Sequence, residues 1–515
     1  MAGGDYQGLA LDDVEAERRG GPAASISSRP EDPASTRCDE GSDEVYLLKV
    51  VSSQPLPGAA GQAQQHRASG DVSANAGPSG GERRLVASSV SDFTVRVYEL
   101  GTIGAGYGAP QAGSAFSPVC RIRGHRGPVT DLLFFPSTPS VLMTASEDGS
   151  IKTWDLGPCL KGSGEAACVN SLVCDGRQSP VWSISASNSG EVLAAATPHG
   201  VLVWIRTLDK RGGLKWKKLL ALEESFCDVV TQVLFHPHHS ARYVRQQNSS
   251  QAQPPAAGRG KLEPLVLAAC GEDGLVCLFD LNGGSDEDDN LLCVLNAESA
   301  IAQMGFFGPH GQEGGGGTYL WCRTNDEAFR AWNWAEACDN DGDVAMESEG
   351  EGGGGNAQVY LLRDARKALT ATLQRNGHGA MAGGGGRRVD YLVDCHWDAA
   401  RAELRLVGGA SSGEVHFFRL AVEGISFADP ASGGSRPNSV RFLAPTDVQS
   451  CLCLRHSHGA IVRSLEASNA PAWYLTCGED GRLCVWSPRE HSGGGYGRDY
   501  GKSSGRVNGA RFKPY

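Results

Sequence analysis

One pattern recurs along this chain and limits what it can fold into. MTASEDGSIKTWDL (143–156), AACGEDGLVCLFDL (268–281) and LTCGEDGRLCVWSP (475–488) are variants of a single unit. Each reads as a short strand, a tight turn on Asp-Gly, and a second strand carrying an aromatic residue. Gly accepts the positive φ that a two-residue hairpin turn imposes, so the dipeptide fixes where the chain reverses. Spacing extends the pattern to weaker copies. A turn residue stands six positions before a strand aromatic at Asp92–Tyr98, Asp148–Trp154, Pro198–Trp204, Asp273–Phe279, Asp326–Trp332, Ser412–Phe418 and Asp480–Trp486. The hairpins fall near 84–100, 141–156, 192–206, 265–281, 318–334, 404–420 and 473–488. A β-rich segment such as PVTDLLFFP or VVTQVLFHP precedes most of them, and a further strand such as NLLCVLNA (290–297) or VYLLRD (359–364) follows. Four strands per unit, seven times over, predict an all-β seven-bladed propeller spanning 45–488.

The intervals between successive aromatics run from 50 to 86 residues, above the usual repeat of about 40–45. Gly-, Ser-, Ala- and Gln-rich insertions account for the excess, at about 52–83, 101–117, 246–260, 309–317, 336–357, 376–388, 429–439 and 488–505. Such segments cannot bury enough apolar surface to offset their ordering entropy and are expected to be disordered loops. The ends differ in charge. Residues 1–44 form an expected acidic, disordered tail, with eleven acids against four arginines. Residues 489–515 form a Gly-rich basic tail whose RVNGARF could supply a closing strand; the N-terminal segment is the other candidate for that strand.

The net charge of −12 argues against a protein that coats nucleic acid through bulk charge. No apolar run reaches the length of a membrane helix, and the N-terminus lacks the basic and apolar regions of a secretory signal. The chain is therefore expected to be soluble and intracellular. The 16 cysteines include no C-x-x-C pair, which removes zinc-ribbon and thioredoxin readings. Most sit in apolar alternation and read as reduced core thiols.

Gly124-His125 and Trp154-Asp155 are the dipeptides of WD repeats. In such blades a loop His, a strand Thr, the turn Asp and the strand Trp can share one hydrogen-bond network. Blade two offers His125, Thr144, Asp148 and Trp154, and blade seven offers His458, Thr476, Asp480 and Trp486. Their role is read as structural, since partly buried polar groups need partners. Blades one, three, four and six each lack part of the set.

Motifs that suggest chemistry fail on context. GAGYGA (104–109) matches a dinucleotide fingerprint, but Pro110 and a loop follow where a helix is required. GASSG (409–413) matches a nucleophile elbow, yet a strand follows. DNDGDVAMESE (339–349) has Val344 where a calcium loop needs Gly. FHPHH (235–239) groups His236, His238 and His239 without a fourth ligand. The expectation is a non-catalytic protein with no metal, cofactor or small-molecule substrate and no membrane association.

Function then falls to the rim of loops. Glu147, Glu272 and Glu479 beside the turn aspartates, with Arg126, Trp182, Asp228, Asp390 and Arg463 at strand entries, are the candidate partner-binding residues. Outward glutamates favour a basic protein segment, and Trp and Arg are frequent binding hot spots. The basic tail and Arg387-Arg388 leave an alternative, an RNA-associated subunit. DVVTQVLFHP, GEDGLVCLFDLN and SDEDDNLL (228–292), followed by TNDEAFRAWNW, VYLLRDARKAL and VDYLVDCHWDAARAELRLVGGASSGEVHFFRL, resemble the WD repeat-containing protein 89 family. The final block HGAIVRSLEASNAPAWYLTCGEDGRLCVWSP agrees, while the insertions and the Pro198-His199 turn depart from the pattern. The resemblance implies a non-catalytic WD40 propeller of nucleus or cytoplasm, a protein-interaction scaffold or adaptor with no catalytic residues to carry over.

Overall fold

In the computed structural model, the described residues are 6–11, 45–56, 83–100, 118–162, 165–174, 179–208, 214–239, 264–284, 286–309, 317–339, 357–375, 388–424, 439–455, 458–469, 472–488 and 513–514. They form seven sheets, antiparallel but for one short parallel pairing, arranged as a β-propeller. Blade one is Leu47–Ser52, Arg84–Val90, Val95–Leu100 and Cys120–Ile122. Blade two is Val129–Phe134, Val141–Ser146, Ser150–Asp155 and Ala167–Val173, and blade three is Ser183–Ala186, Val192–Thr197, Gly200–Leu208 and Leu214–Leu222. Blade four comprises Val230–Phe235, Val266–Gly271, Leu275–Asp280 and Leu291–Asn296; blade five comprises Ile301–Phe307, Tyr319–Thr324, Phe329–Asn333 and Gln358–Leu362. Blade six has Tyr391–Asp398, Glu403–Gly409 and Val415–Gly424, with an outer strand split into Ser439–Phe442 and Gln449–Leu454. Between blades five and six lies the helix Ala365–Arg375, which buries Leu369 and Leu373.

Blade seven closes the ring. Its strands Val462–Asn469, Ala472–Gly478 and Leu483–Pro488 take their outer partner from Tyr6–Leu11, with register running from Tyr6↔Pro488 to Leu11↔Leu483. Lys513–Pro514 adds a short parallel bridge to Gln7 and Gly8. The closing strand is thus N-terminal, and six residues of the expected tail 1–44 belong to the ring. RVNGARF, GAGYGA and nearly all of the acidic stretch 339–349 lie outside the described residues.

The apolar core is divided rather than central. Seven clusters of buried side chains occupy the seven seams, each drawing on two adjacent blades. Between blades seven and one, for example, Trp473, Leu475 and Val485 pack with Leu47, Val86 and Tyr98. Strands buried on both faces explain the nearly continuous apolar runs in the middle of each blade.

Polar side chains knit the inner strands together. In six blades the first strand has a register shift after its first paired residue or, in blade six, its second. The residue just beyond reaches towards the next blade. Lys49 pairs with Asp131 at 2.5 Å, Asp131 accepts the Ile184 amide, and Ser183 accepts that of Val233. Gln232 binds the Met304 amide and carbonyl, Gln303 donates to Asp394, and Ser464 accepts the Val50 amide across the closing seam. Each bond satisfies a backbone or side-chain group that would otherwise be buried without a partner.

Candidate interaction face

The turns between the second and third strands lie together on one face of the ring. Each needs a residue in the left-handed region. Gly fills it at Gly149, Gly274, Gly413 and Gly481, whereas blades one and five place Phe93 and Glu327 there, at φ of 67° and 66°. A side chain in that conformation costs roughly 1–2 kcal/mol, so local bonds must hold these two turns. In blade one the Thr94 amide and hydroxyl both donate to Asp92. In blade five the Thr324 hydroxyl donates to Asp326, and the Leu392 amide of blade six donates to Glu327. Blade three turns on Pro198-His199 and recovers with Gly200, where a Cβ would sit 2.3 Å from the Leu222 carbonyl oxygen.

In blade two the four network residues meet. His125 Nδ1 lies 3.0 Å from Asp148, and its Nε2 lies 2.6 Å from the Thr144 hydroxyl. That hydroxyl oxygen also accepts the Trp154 indole N–H at 3.0 Å. Gly124 must precede His125 because a Cβ there would strike the Trp154 ring at 2.7 Å. Blade seven repeats the geometry. His458 lies 3.1 Å from Asp480 and 2.8 Å from Thr476, which accepts the Trp486 indole at 2.9 Å.

Protonation is tuned within these networks. Burial would raise the Asp148 carboxyl, but bonds from the Ser150 hydroxyl, the Arg126 amide and His125 hold it at about 2. Burial lowers the His125 imidazole, aided by nearby Lys152 and opposed by Asp148. Burial also works against a charged His458, yet the Cys484 sulfur and Asp480 outweigh it and raise the ring to about 10. Blade five lacks the histidine altogether: Ala297 stands four residues before its first strand, as His125 and His458 do in theirs. Instead the buried Arg330 reaches Glu298 at 2.5 Å and Gln358 at 3.1 Å. The spacing rule gave no sign of that pair.

The candidate binding residues divide. Glu147, Glu272, Arg126 and Asp228 are exposed. Their neighbours Asp148 and Asp273 are held by backbone amides, Asp273 accepting from Cys227 and Leu275. Glu479 and Arg463 are ion-paired to each other, so neither carries free charge. Asp390 accepts the Ser411 amide and hydroxyl and pairs with Arg388. Ser411 and Ser412 of GASSG are therefore turn residues. Trp182 is half-buried against the apolar seam between blades three and four, and its indole N–H has no hydrogen-bond partner among the described residues.

The histidines of FHPHH are also structural. His236 is buried, bonds the Gly317 carbonyl, and caps the amides of His238 and His239. Burial and the neighbouring histidines push its pKa down to about 3. Glu287, in the acidic SDEDDN stretch, accepts the amides of Glu223, Glu224 and Ser225 and so fastens blade four to blade three. Among the described residues one mixed donor cluster exists, Glu414, His416 and Cys453 in blade six. Arg455 Nε, 3.0 Å from the Cys453 sulfur, already supplies the positive charge there.

Residues 116–155 and 449–487 match the WD domain, G-beta repeat family, covering blade two through its third strand and blade seven through its own. The chain is 27% identical over 412 residues to WD repeat-containing protein GTS1 of Arabidopsis thaliana, covering 79% of this chain and 78% of that one. It is 21% identical over 369 residues to the WD repeat-containing protein 89 homolog of Dictyostelium discoideum, covering 71% and 73% respectively. Both matches span most of the ring. No helix among the described residues is long and apolar enough to cross a membrane.

Proposed function

We propose that this chain, a WD40-repeat propeller, is a non-catalytic scaffold whose turn-bearing face takes a basic segment of a partner protein in the nucleus or cytoplasm. The fold is of a kind that typically serves protein interaction. The observation that carries the finer reading is a division of labour at the turns of blades two and four. Asp148 and Asp273 spend their oxygens on backbone and side-chain donors, while the adjacent Glu147 and Glu272 stand exposed with Asp228. Exposed carboxylates on rigid turns steer a cationic partner without having to reorganise. Glu479 contributes little, because Arg463 neutralises it.

Affinity purification of the tagged chain with and without nuclease, beside Glu147→Ala/Glu272→Ala, tests this. The expected result is a set of partners that survives nuclease and is lost in the double variant. Partners lost to nuclease but kept by the variant would overturn the proposal in favour of RNA association. In that case affinity should also fall steeply with salt, as phosphate contacts require.

A further inference from the structure

Two seams of the ring carry a pair of cysteines in the same place. Cys293, on the outer strand Leu291–Asn296 of blade four, lies with its sulfur 2.9 Å from that of Cys338. Cys338 belongs to the helix Trp334–Asp339, which follows the third strand of blade five. Cys120, on the outer strand of blade one, is hydrogen-bonded to Cys159 in the helix Gly157–Leu160, which follows the third strand of blade two. The equivalence holds at the level of register. Cys120 sits opposite Val97 and Cys293 opposite Leu278, each five residues beyond its turn aspartate. In both cases a rim strand of one blade meets the helix of the next.

The pairs differ in access. Cys120 and Cys159 are buried, while Cys293 and Cys338 are half-buried at the rim. A disulfide has an S–S bond of about 2.05 Å, so the rim pair needs less than 1 Å of approach. Its neighbours Val294 and Leu292 are exposed, which leaves the strand open to a small reagent.

We propose that Cys293 and Cys338 are a reversible disulfide site, oxidised by a low-molecular-weight disulfide of the glutathione type, whose closure locks blade four to blade five. One thiol loses its proton to solvent, and the thiolate attacks a sulfur of the oxidised glutathione. That breaks its S–S bond, releases one glutathione thiolate and leaves a mixed disulfide on the protein. The second cysteine, deprotonated in turn, attacks the protein-bound sulfur and expels the second glutathione. Two protein thiols are thereby oxidised by two electrons, and one glutathione disulfide is reduced to two thiols. The hydrogen bond with Cys338 and burial both raise the Cys293 thiol, so exchange is slow at neutral pH and quickens as pH rises. The bond would close a loop of 45 residues across a seam that apolar packing and the bonds of Gln232 to Met304 already hold.

The test uses the full chain, reduced and then equilibrated in glutathione buffers of stepped ratio, quenched with acid and alkylated. Peptide mapping without reduction should show a peptide linked through Cys293 and Cys338 as the principal internal disulfide. Cys120 and Cys159 should stay unreacted until the chain is unfolded. Thermal unfolding of the oxidised chain should shift upward by several degrees, and Cys293→Ser or Cys338→Ser should each abolish the shift. Separate glutathione adducts on Cys293 and Cys338 without the linked peptide would overturn the proposal. So would a linked peptide that forms only in denaturant.

Discussion

Blades two and seven carry the same four residues in the same geometry, yet their histidines are driven in opposite directions. In both, the imidazole bridges a turn aspartate and a strand threonine, and the threonine holds the tryptophan indole. One difference lies on the third strand, four positions after the turn aspartate. Blade two has Lys152 there, whose charge adds to burial in keeping His125 neutral. Blade seven has Cys484, whose sulfur joins Asp480 in favouring the charged ring of His458. The constellation thus fixes shape, and a neighbour outside it fixes charge. The same position holds Arg96 in blade one, Arg330 in blade five and His416 in blade six, all buried. Where the loop histidine is missing, a long cation from the strand can take over its anchoring work, as Arg330 does with Glu298.

The largest expected effect comes from removing the shared acceptor. Thr476→Val leaves the Trp486 indole and a charged His458 without their buried partner, and Thr144→Val does the same to Trp154 and a neutral His125. A buried donor left unsatisfied costs about 1–3 kcal/mol, and more when charged. Urea denaturation at pH 7 should therefore show Thr476→Val losing more stability than Thr144→Val. Equal losses would mean that His458 is not charged in the folded chain.

Next in size is the pH dependence, whose two limbs have opposite signs. His125 is depressed below 6.5, so its contribution is present above that pH and is lost on acidification, when the unfolded chain takes a proton that the folded one refuses. Asp148 adds to the same limb between about 4 and its folded value of about 2. His458 is raised to about 10, so its contribution is present below 6.5 and is lost as pH climbs towards 10. Denaturation midpoints at pH 5, 7 and 9 should show His125→Gln flattening the acid limb and His458→Gln flattening the alkaline one. Identical profiles for the two variants would erase the distinction between the blades.

A smaller effect isolates the cause. Cys484→Ala should lower the His458 pKa, and Lys152→Met should raise that of His125, with the ring geometry of each network unchanged. Ring-proton NMR titrations of the two histidines read both directions. If neither histidine moves, the charge difference must come from the turn aspartates rather than from these strand neighbours.

The repeats were legible because a hairpin is a local object. Turn residue, strand alternation and aromatic lie within a dozen residues, and seven copies in one register outweigh the insertions between them. The same locality made the networks of blades two and seven readable from His, Thr, Asp and Trp. Contacts between blades left no such trace. The residues that tie each inner strand to the next are Lys49, Asp131, Ser183, Gln232, Gln303, Asp394 and Ser464, which share a position and polarity but no single residue type. Their partners lie far away in sequence, up to 414 residues for Ser464 and Val50. Tyr6–Leu11 was hidden for the same reason, since YQGLAL carries no mark of a strand that pairs with 483–488. The Arg463–Glu479 pair likewise joins a strand entry to a turn, so a reading of each turn by itself left Glu479 looking free.

That pair gives the smallest effect and a further separation of the two blades. Arg463 and Glu479 are half or more exposed and a quarter exposed respectively, as 50% and 25% of their side chains. An ion pair of that kind contributes about 0–1 kcal/mol and weakens with salt. Glu479→Ala should therefore cost little stability, and the cost should vanish at high salt. Glu147→Ala, at the matching turn of blade two, removes an exposed carboxylate for which no ion pair exists among the described residues, and should leave stability within about 0.5 kcal/mol of the parent at any salt. Partner binding should reverse the ranking. Glu147→Ala gives up a carboxylate free to meet a basic segment, whereas Glu479→Ala frees Arg463 and turns its corner of the face positive. A salt-dependent binding measurement on both variants reads the difference, and equal losses of affinity would show that blades two and seven meet the partner alike.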